Sequence, residues 1–103
     1  MSRKLRQIIV EDRRLMFLRL LSQAVDYSNN EFVIREALSC MGHNVSQDQV
    51  NTDGAWLEEQ GLITITAVVP DLHVFRLTTR GKDAAEGLAA VPGVKKPEPG
   101  LDY

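Results

Sequence analysis

Apolar residues recur at helical spacing through most of the first 60 residues of the chain. The pattern predicts three helices, over residues 3–25, 31–41 and 46–60. A turn rich in Asp, Ser and Asn lies over residues 26–30, and its last asparagines can cap the second helix. The apolar stripe of the first helix comprises Leu15, Leu18, Leu21 and Val25, widened by Phe17, Leu20 and Ala24. The first half of the chain is therefore predicted to be helical.

Both ends of the third predicted helix carry local signals. Ser46 can accept a hydrogen bond from a free backbone N–H, and Asp48 in the first turn suits the helix dipole. Gly61 follows the helix, where a left-handed residue without a Cβ is favoured. After Gly61 the spacing changes to alternation, which predicts a hairpin of two strands over residues 62–69 and 73–77.

The last part of the chain divides into a helix and a tail. Thr78 or Thr79 can cap a terminal helix over residues 79–90, so residues 1–90 form one predicted domain. Residues 91–103 contain three of the four prolines together with two glycines. Because proline breaks helices, we expect this tail to lack fixed structure.

The third helix resembles the recognition helix of winged helix-turn-helix repressors of the arsenical-resistance type. In that family the helix begins with Ser-Gln, buries a Val four residues after the Ser, and closes with Leu and then Gly-Leu. The matching residues here are Ser46, Gln47, Val50, Leu57, Gly61 and Leu62. The run LTTRGKDAAEG resembles the passage from the second wing strand into the terminal helix of many winged-helix regulators. The resemblance implies a mainly α fold with a small β-hairpin wing over residues 62–77, in the order helix-helix-helix-strand-strand-helix.

The two ends of the sequence carry a second resemblance. The opening RKLRQIIVEDRRL and the later VPGVK are similar to segments of small winged-helix proteins from Mu-like bacteriophages. This similarity implies a phage-encoded protein and no established activity.

Composition excludes several classes of function. The 103 residues suffice for one small domain, and the single cysteine excludes an intramolecular disulfide, so we expect a cytoplasmic protein. Charged residues 11–14 end the first apolar run too early for a signal or membrane segment. Two histidines and one cysteine make no recognised zinc spacing. We therefore expect no metal, no cofactor and no enzyme activity.

The resemblance implies a transcriptional regulator that binds double-stranded DNA. Gln and Asn side chains can read adenine edges in the major groove. The expected base contacts are Gln47, Gln49, Asn51 and Thr52. Lys and Arg would neutralise the phosphates. The expected phosphate contacts are Arg3, Lys4, Arg6, Arg13, Arg14, Arg76, Arg80 and Lys82.

The apolar stripe of the first helix is wider than one small core needs. It is either the central core helix or a surface that also pairs with a second copy of the chain. The second interpretation predicts a homodimer interface that comprises Leu5, Ile8, Ile9, Met16 and Phe17. Related repressors dimerise through terminal helices, so the resemblance also implies a homodimer.

The charge distribution supports a different kind of partner. No lysine or arginine lies between Glu36 and Phe75. The same span contains six acidic residues, namely Glu36, Asp48, Asp53, Glu58, Glu59 and Asp71. An acidic recognition helix and wing suit a basic protein partner better than DNA. A protein-interaction module that does not bind DNA is therefore the alternative to a DNA-binding regulator.

Gly54 is a departure from the family pattern, which places a bulky apolar residue at that position. A glycine inside a helix costs about 1 kcal/mol relative to alanine. The sequence therefore predicts that Gly54→Ala raises the melting temperature, unless another element packs closely against the glycine.

Overall fold

The computed structural model describes residues 3–100, except for the side chain of Arg3. Four helices and three strands follow one another along this part of the chain. They are α1 (Arg3–Gln23), β1 (Ser28–Asn30), α2 (Glu31–Cys40), α3 (Gln47–Glu59), β2 (Ile63–Val69), β3 (Leu72–Leu77) and α4 (Thr79–Glu86). A short 3₁₀ turn, Val25–Tyr27, links α1 to β1. The predicted fold class, mainly helical with a β-hairpin wing, is confirmed.

The three strands form one antiparallel sheet in the order β1-β3-β2. The sequence did not predict β1, because its three polar residues carry no alternating apolar pattern. β1 is held by backbone pairing with β3, where Asn29 lies opposite Phe75. This pairing makes β3 the central strand of the sheet, so that β2 is the outer strand of the wing.

The core lies where α1 crosses the other elements. The rings of Phe17 and Phe75 meet edge to face, with their centroids 5.1 Å apart. Met16 and Phe17 are 3% and 0% exposed, so these two residues are core residues and cannot form the predicted dimer interface. Val25, also expected in the core, is 93% exposed, because α1 ends at Gln23 and the chain turns away.

Three predicted caps are confirmed. The side chain of Asn30 accepts hydrogen bonds at the start of α2, and Ser46 accepts one from Gln49 N–H at the start of α3. Thr78 caps α4 in the same way. This last helix ends at Glu86 rather than near residue 90, because Gly87 adopts a left-handed conformation with φ +82°.

The chain after α4 is packed against the domain, which differs from the prediction of a tail without fixed structure. Val91 is 6% exposed and belongs to the core. Lys95 N–H donates to the carbonyl of Glu11 at 3.1 Å, and Arg14 Nη1 donates to the carbonyl of Gly93 at 3.0 Å. Residues 101–103 lie outside the described part of the chain.

Gly54 lies where α3 packs on the sheet. A Cβ at this position would stand 2.7 Å from Cε1 of Phe75, closer than real side chains approach. The close packing that could overturn the predicted gain from Gly54→Ala is therefore present. Within residues 3–100, none of the helices combines the length and the apolar character needed to cross a membrane.

Candidate interaction surface of the third helix and the wing

The exposed side of α3 and the adjoining β2–β3 hairpin form the surface that the sequence assigned to recognition. We call it the α3–wing face. Its exposed residues are Asp48, Thr52, Ala55, Glu58 and Glu59 on α3 and Ala67, Val68, Val69, Pro70 and Asp71 on the hairpin. The other exposed hairpin residues, Thr64, Thr66 and Arg76, alternate with the groove-lining residues and so lie on the opposite side of the sheet. Four of the α3 residues follow helical spacing along one stripe, which begins at Asp48 and ends at Glu59. The face thus presents carboxylates and apolar side chains.

Three of the four predicted base contacts are engaged within the domain. Gln47 Nε2 donates to the backbone carbonyl of Glu31 at 3.0 Å, and Gln49 Nε2 donates to Asp53 Oδ1 at 3.0 Å. Asn51 forms a side-chain hydrogen bond with Glu31. Thr52 is exposed. The three amide side chains hold α3 in place. Each would have to break its hydrogen bond within the domain before it could contact a base.

Arg13 cannot contribute a phosphate contact in this fold. It is 6% exposed and forms a buried ion pair with Asp53, in which Nη2 lies 3.1 Å from Oδ1 and Nε donates to Oδ2. The sequence predicted Arg13 to be a phosphate contact on the first helix, and it stands in the run of charged residues 11–14. Neighbouring helical residues point in directions about 100° apart, so the run does not share one environment.

The neighbouring Arg14 also has a structural role. Its guanidinium stacks over the ring of Trp56, with Cζ 3.8 Å from the ring centroid, and Nη1 is bonded to Gly93. This side chain links α1, α3 and the segment after α4. Sequence reasoning missed the contact, because the three residues are far apart along the chain.

The remaining predicted phosphate contacts are spread over the molecule. Arg76 pairs with Asp26 through two hydrogen bonds, of 3.1 and 3.0 Å. Arg80 Nε donates to the carbonyl of Gln60, and Lys82 Nζ lies 5.5 Å from the ring centroid of Tyr27. The other described members of the set, Lys4 and Arg6, are exposed on the first turns of α1, and the side chain of Arg3 lies outside the described residues.

The buried carboxylate of Glu31 connects the elements that carry the α3–wing face. Glu31 is 2% exposed, and its Oε1 accepts the backbone N–H of His73 at 2.9 Å and lies 3.2 Å from the His73 ring. Burial alone would raise the pKa of Glu31. The hydrogen bonds from His73 and Asn51 favour the carboxylate more strongly, so its pKa lies below the usual 4.5. Glu31 therefore ties α2 to α3 and β3 in its charged form.

We expect Glu31→Gln to lower the free energy of unfolding by about 2 kcal/mol at pH 7, because the charged hydrogen-bond acceptor is lost. A folded-state pKa below the unfolded value gives stability that is present above about pH 4.5 and is lost as pH falls through the folded pKa. The difference between wild type and variant should therefore shrink between pH 5 and pH 3 in urea titrations. The control is Glu36→Gln, an exposed change on the same helix. An equal pH dependence in both variants would contradict the role assigned to Glu31.

A groove runs between α3 and the hairpin. Its volume is about 350 Å³. The groove is lined by Asn51, Ala55, Glu58, Ile65, Ala67, His73 and Phe75. Glu58 Oε2 accepts the backbone N–H of Ile65 at 2.9 Å, so this carboxylate bridges the helix and the outer strand. Across the described residues 3–100, no group of three or more His, Cys, Asp or Glu is arranged to hold a metal ion.

The sequence is 46% identical over 94 residues to the uncharacterized protein gp26 of Escherichia phage Mu, an alignment that covers 89% of this chain and 94% of the phage protein. The chain belongs to the family of this Mu protein. An uncharacterized protein of Haemophilus influenzae is 43% identical over 75 residues, covering 73% of this chain and 72% of that protein. No family model matches the sequence. The resemblance to proteins of Mu-like phages is confirmed, and the arsenical-resistance type stays a prediction.

The fold is similar to that of RosR from H. salinarum. The RosR structure grown from NaBr superposes with a TM-score of 0.64 at 19% identity, over 72% of this chain and 66% of that one. The complex hsRosR-S1 gives a TM-score of 0.62 at 19% identity, over 71% of this chain and 63% of that one. The chain thus spans less than two thirds of the RosR chains it matches. These likenesses show a winged-helix fold.

Proposed function

We propose that the chain is a winged-helix interaction domain whose α3–wing face binds a basic segment of a protein partner. One observation carries the proposal. The face displays Asp48, Glu58, Glu59 and Asp71, and no lysine or arginine lies between Glu36 and Phe75 to balance them. A surface of one sign attracts and orients a partner of the opposite sign.

The same surface is unfavourable for a nucleic acid. Most of the affinity for DNA comes from Lys and Arg side chains that neutralise phosphates and release counterions. The four carboxylates would instead repel the phosphates. Charges are largely screened beyond about 8 Å at physiological salt, so cations farther than that from the face would not compensate. Arg80, at the end of α3, is bonded to the carbonyl of Gln60.

Apolar side chains at the tip of the wing add to the case for a protein partner. Val68 and Val69 are 60% and 52% exposed, beside the charged residues of the face. Protein interfaces combine an apolar centre with a polar rim, whereas DNA interfaces are polar and strongly positive. The composition of the face matches the first class.

A DNA-binding regulator is the second candidate, and two observations favour it. The fold is shared with RosR, and Lys4 and Arg6 are exposed at the beginning of α1. Leu5 and Ile8 in the same turns are 47% and 54% exposed, and Ile9 is half-buried beside them. A homodimer formed through these apolar residues would bring two basic helix ends together. DNA would then be bound by α1 and not by α3.

Fluorescence anisotropy separates the two candidates. We would titrate the protein into a fluorescein-labelled octa-arginine peptide and, separately, into a labelled mixed-sequence duplex, each over a salt series. We expect micromolar binding of the peptide and none of the duplex. Asp48→Asn with Glu59→Gln should weaken peptide binding about tenfold, because two exposed charges that attract the peptide are lost from the face.

The matched control is Glu36→Gln with Glu86→Gln, which changes the net charge equally but lies outside the face. If both double variants weaken peptide binding to the same extent, the attraction depends only on net charge and the proposal fails. Duplex binding that weakens steeply with salt and is lost in Lys4→Ala with Arg6→Ala would establish the second candidate instead.

A further inference from the structure

We propose that the groove between α3 and the hairpin receives an arginine side chain of the partner. This inference rests on the proposed function and names the contact that would give it specificity. The groove holds a carboxylate at one side, that of Glu58, and apolar walls made by Ala55, Ile65 and Ala67. A guanidinium on a flexible apolar stem has the matching combination of charge and surface.

The carboxylate of Glu58 is already positioned for such a contact. One oxygen, Oε2, accepts the backbone N–H of Ile65, which fixes the side chain across the mouth of the groove. An ionised carboxylate has further lone pairs, including those of the other oxygen, and can accept additional hydrogen bonds. A side chain that is held in place before binding loses less conformational entropy when it binds.

The surroundings of the groove leave the charge of Glu58 to a partner. The chain from residue 37 to residue 74 contains no lysine or arginine. Arg76, the next cation along the sequence, is paired with Asp26. The other polar groups of the groove, Asn51 and His73, are bonded to Glu31. Arg80, at the end of α3, donates to the carbonyl of Gln60. Among residues 3–100 the salt bridges do not include Glu58, so its charge is available to a partner.

Arginine fits the groove better than lysine for two reasons. Its planar fork can donate two hydrogen bonds to one carboxylate, and the guanidinium is less strongly hydrated than an ammonium group, so partial burial costs less. The volume of about 350 Å³ accommodates the stem and the head group of one side chain. We therefore expect the site to discriminate between the two basic residues.

The test uses labelled octa-arginine and octa-lysine peptides with the whole chain. Glu58→Gln removes the charge and keeps an oxygen acceptor for Ile65 N–H, so the fold should persist. Ala55→Leu fills the groove from an exposed position and is the second variant. The control is Glu59→Gln, which makes the same charge change at an exposed neighbouring position that does not line the groove.

We expect Glu58→Gln and Ala55→Leu each to weaken octa-arginine binding at least tenfold, and Glu59→Gln about threefold or less. Wild type should bind octa-arginine at least fivefold more tightly than octa-lysine. If Glu58→Gln and Glu59→Gln have equal effects, or Ala55→Leu has none, the arginine site is refuted while the acidic face stands. If neither peptide binds wild type, the proposed function fails together with the site.

Discussion

Replacing Arg13 with methionine is expected to lower the free energy of unfolding by about 3–5 kcal/mol, the cost of leaving a buried charge without its partner. Arg13 and Asp53 are 6% and 3% exposed and join α1 to α3 through two hydrogen bonds. Without the guanidinium, Asp53 would keep the single bond from Gln49. An unfolded population should therefore be detectable at ordinary temperatures.

Urea titration followed by far-UV circular dichroism would measure the effect. The double change Arg13→Met with Asp53→Leu removes both charges and should recover most of the lost stability, because well-packed apolar residues can replace a buried ion pair. Arg6→Met is the control on the same helix, and it should change the free energy by no more than about 0.5 kcal/mol, as an exposed substitution. A cost at Arg13 equal to that at Arg6 would show that the pair contributes nothing.

The Arg13–Asp53 pair also affects how binding experiments should be designed. A charge reversal at Arg13 and Arg14 would be the natural test for phosphate contacts on α1. Both side chains, however, are committed to contacts inside the domain, with Asp53 and with Trp56 and Gly93. Loss of DNA binding in such a variant would report unfolding. Lys4 and Arg6 are exposed and are the informative positions.

Local signals in the sequence predicted much of the fold. In the structure Ser46 and Thr78 cap helices, and Gly61 adopts a left-handed conformation after α3. Each of these signals acts on backbone only a few residues away. The hairpin followed from alternation in the same way. Features that depend on distant residues were not predictable. β1 exists because β3 pairs with it, and Val91 is ordered because it reaches the core.

For the candidate surface, too, the sequence predicted a local property but not the contacts between distant residues. The sequence alone establishes the absence of lysine and arginine between Glu36 and Phe75, and that observation still carries the proposed function. It could not show that Gln47 and Gln49 are bonded inward, because their partners are set by the packing of α2 and α3. It also could not show the groove beside Glu58, whose walls come from separate elements.

Gly54→Ala should destabilise the domain, although alanine is the better helix former. The added Cβ would stand 2.7 Å from Cε1 and 3.2 Å from Cζ of Phe75. That ring is 1% exposed and is held against Phe17, so it cannot move away without disturbing the core. Overpacking a core costs typically about 1–3 kcal/mol, against about 1 kcal/mol gained from helix propensity. We therefore expect a net loss of up to about 2 kcal/mol.

A loss of that size in a chain of this length corresponds to a fall in melting temperature of up to roughly 15 °C, measured by thermal unfolding. The background Phe75→Leu provides the decisive comparison, because the smaller side chain makes room for the Cβ. In that background Gly54→Ala should become neutral or stabilising. A rise in melting temperature in the wild-type background would show that the ring yields easily. Gly54 would then only lower the helix propensity of α3, and the contact between α3 and the sheet would not require it.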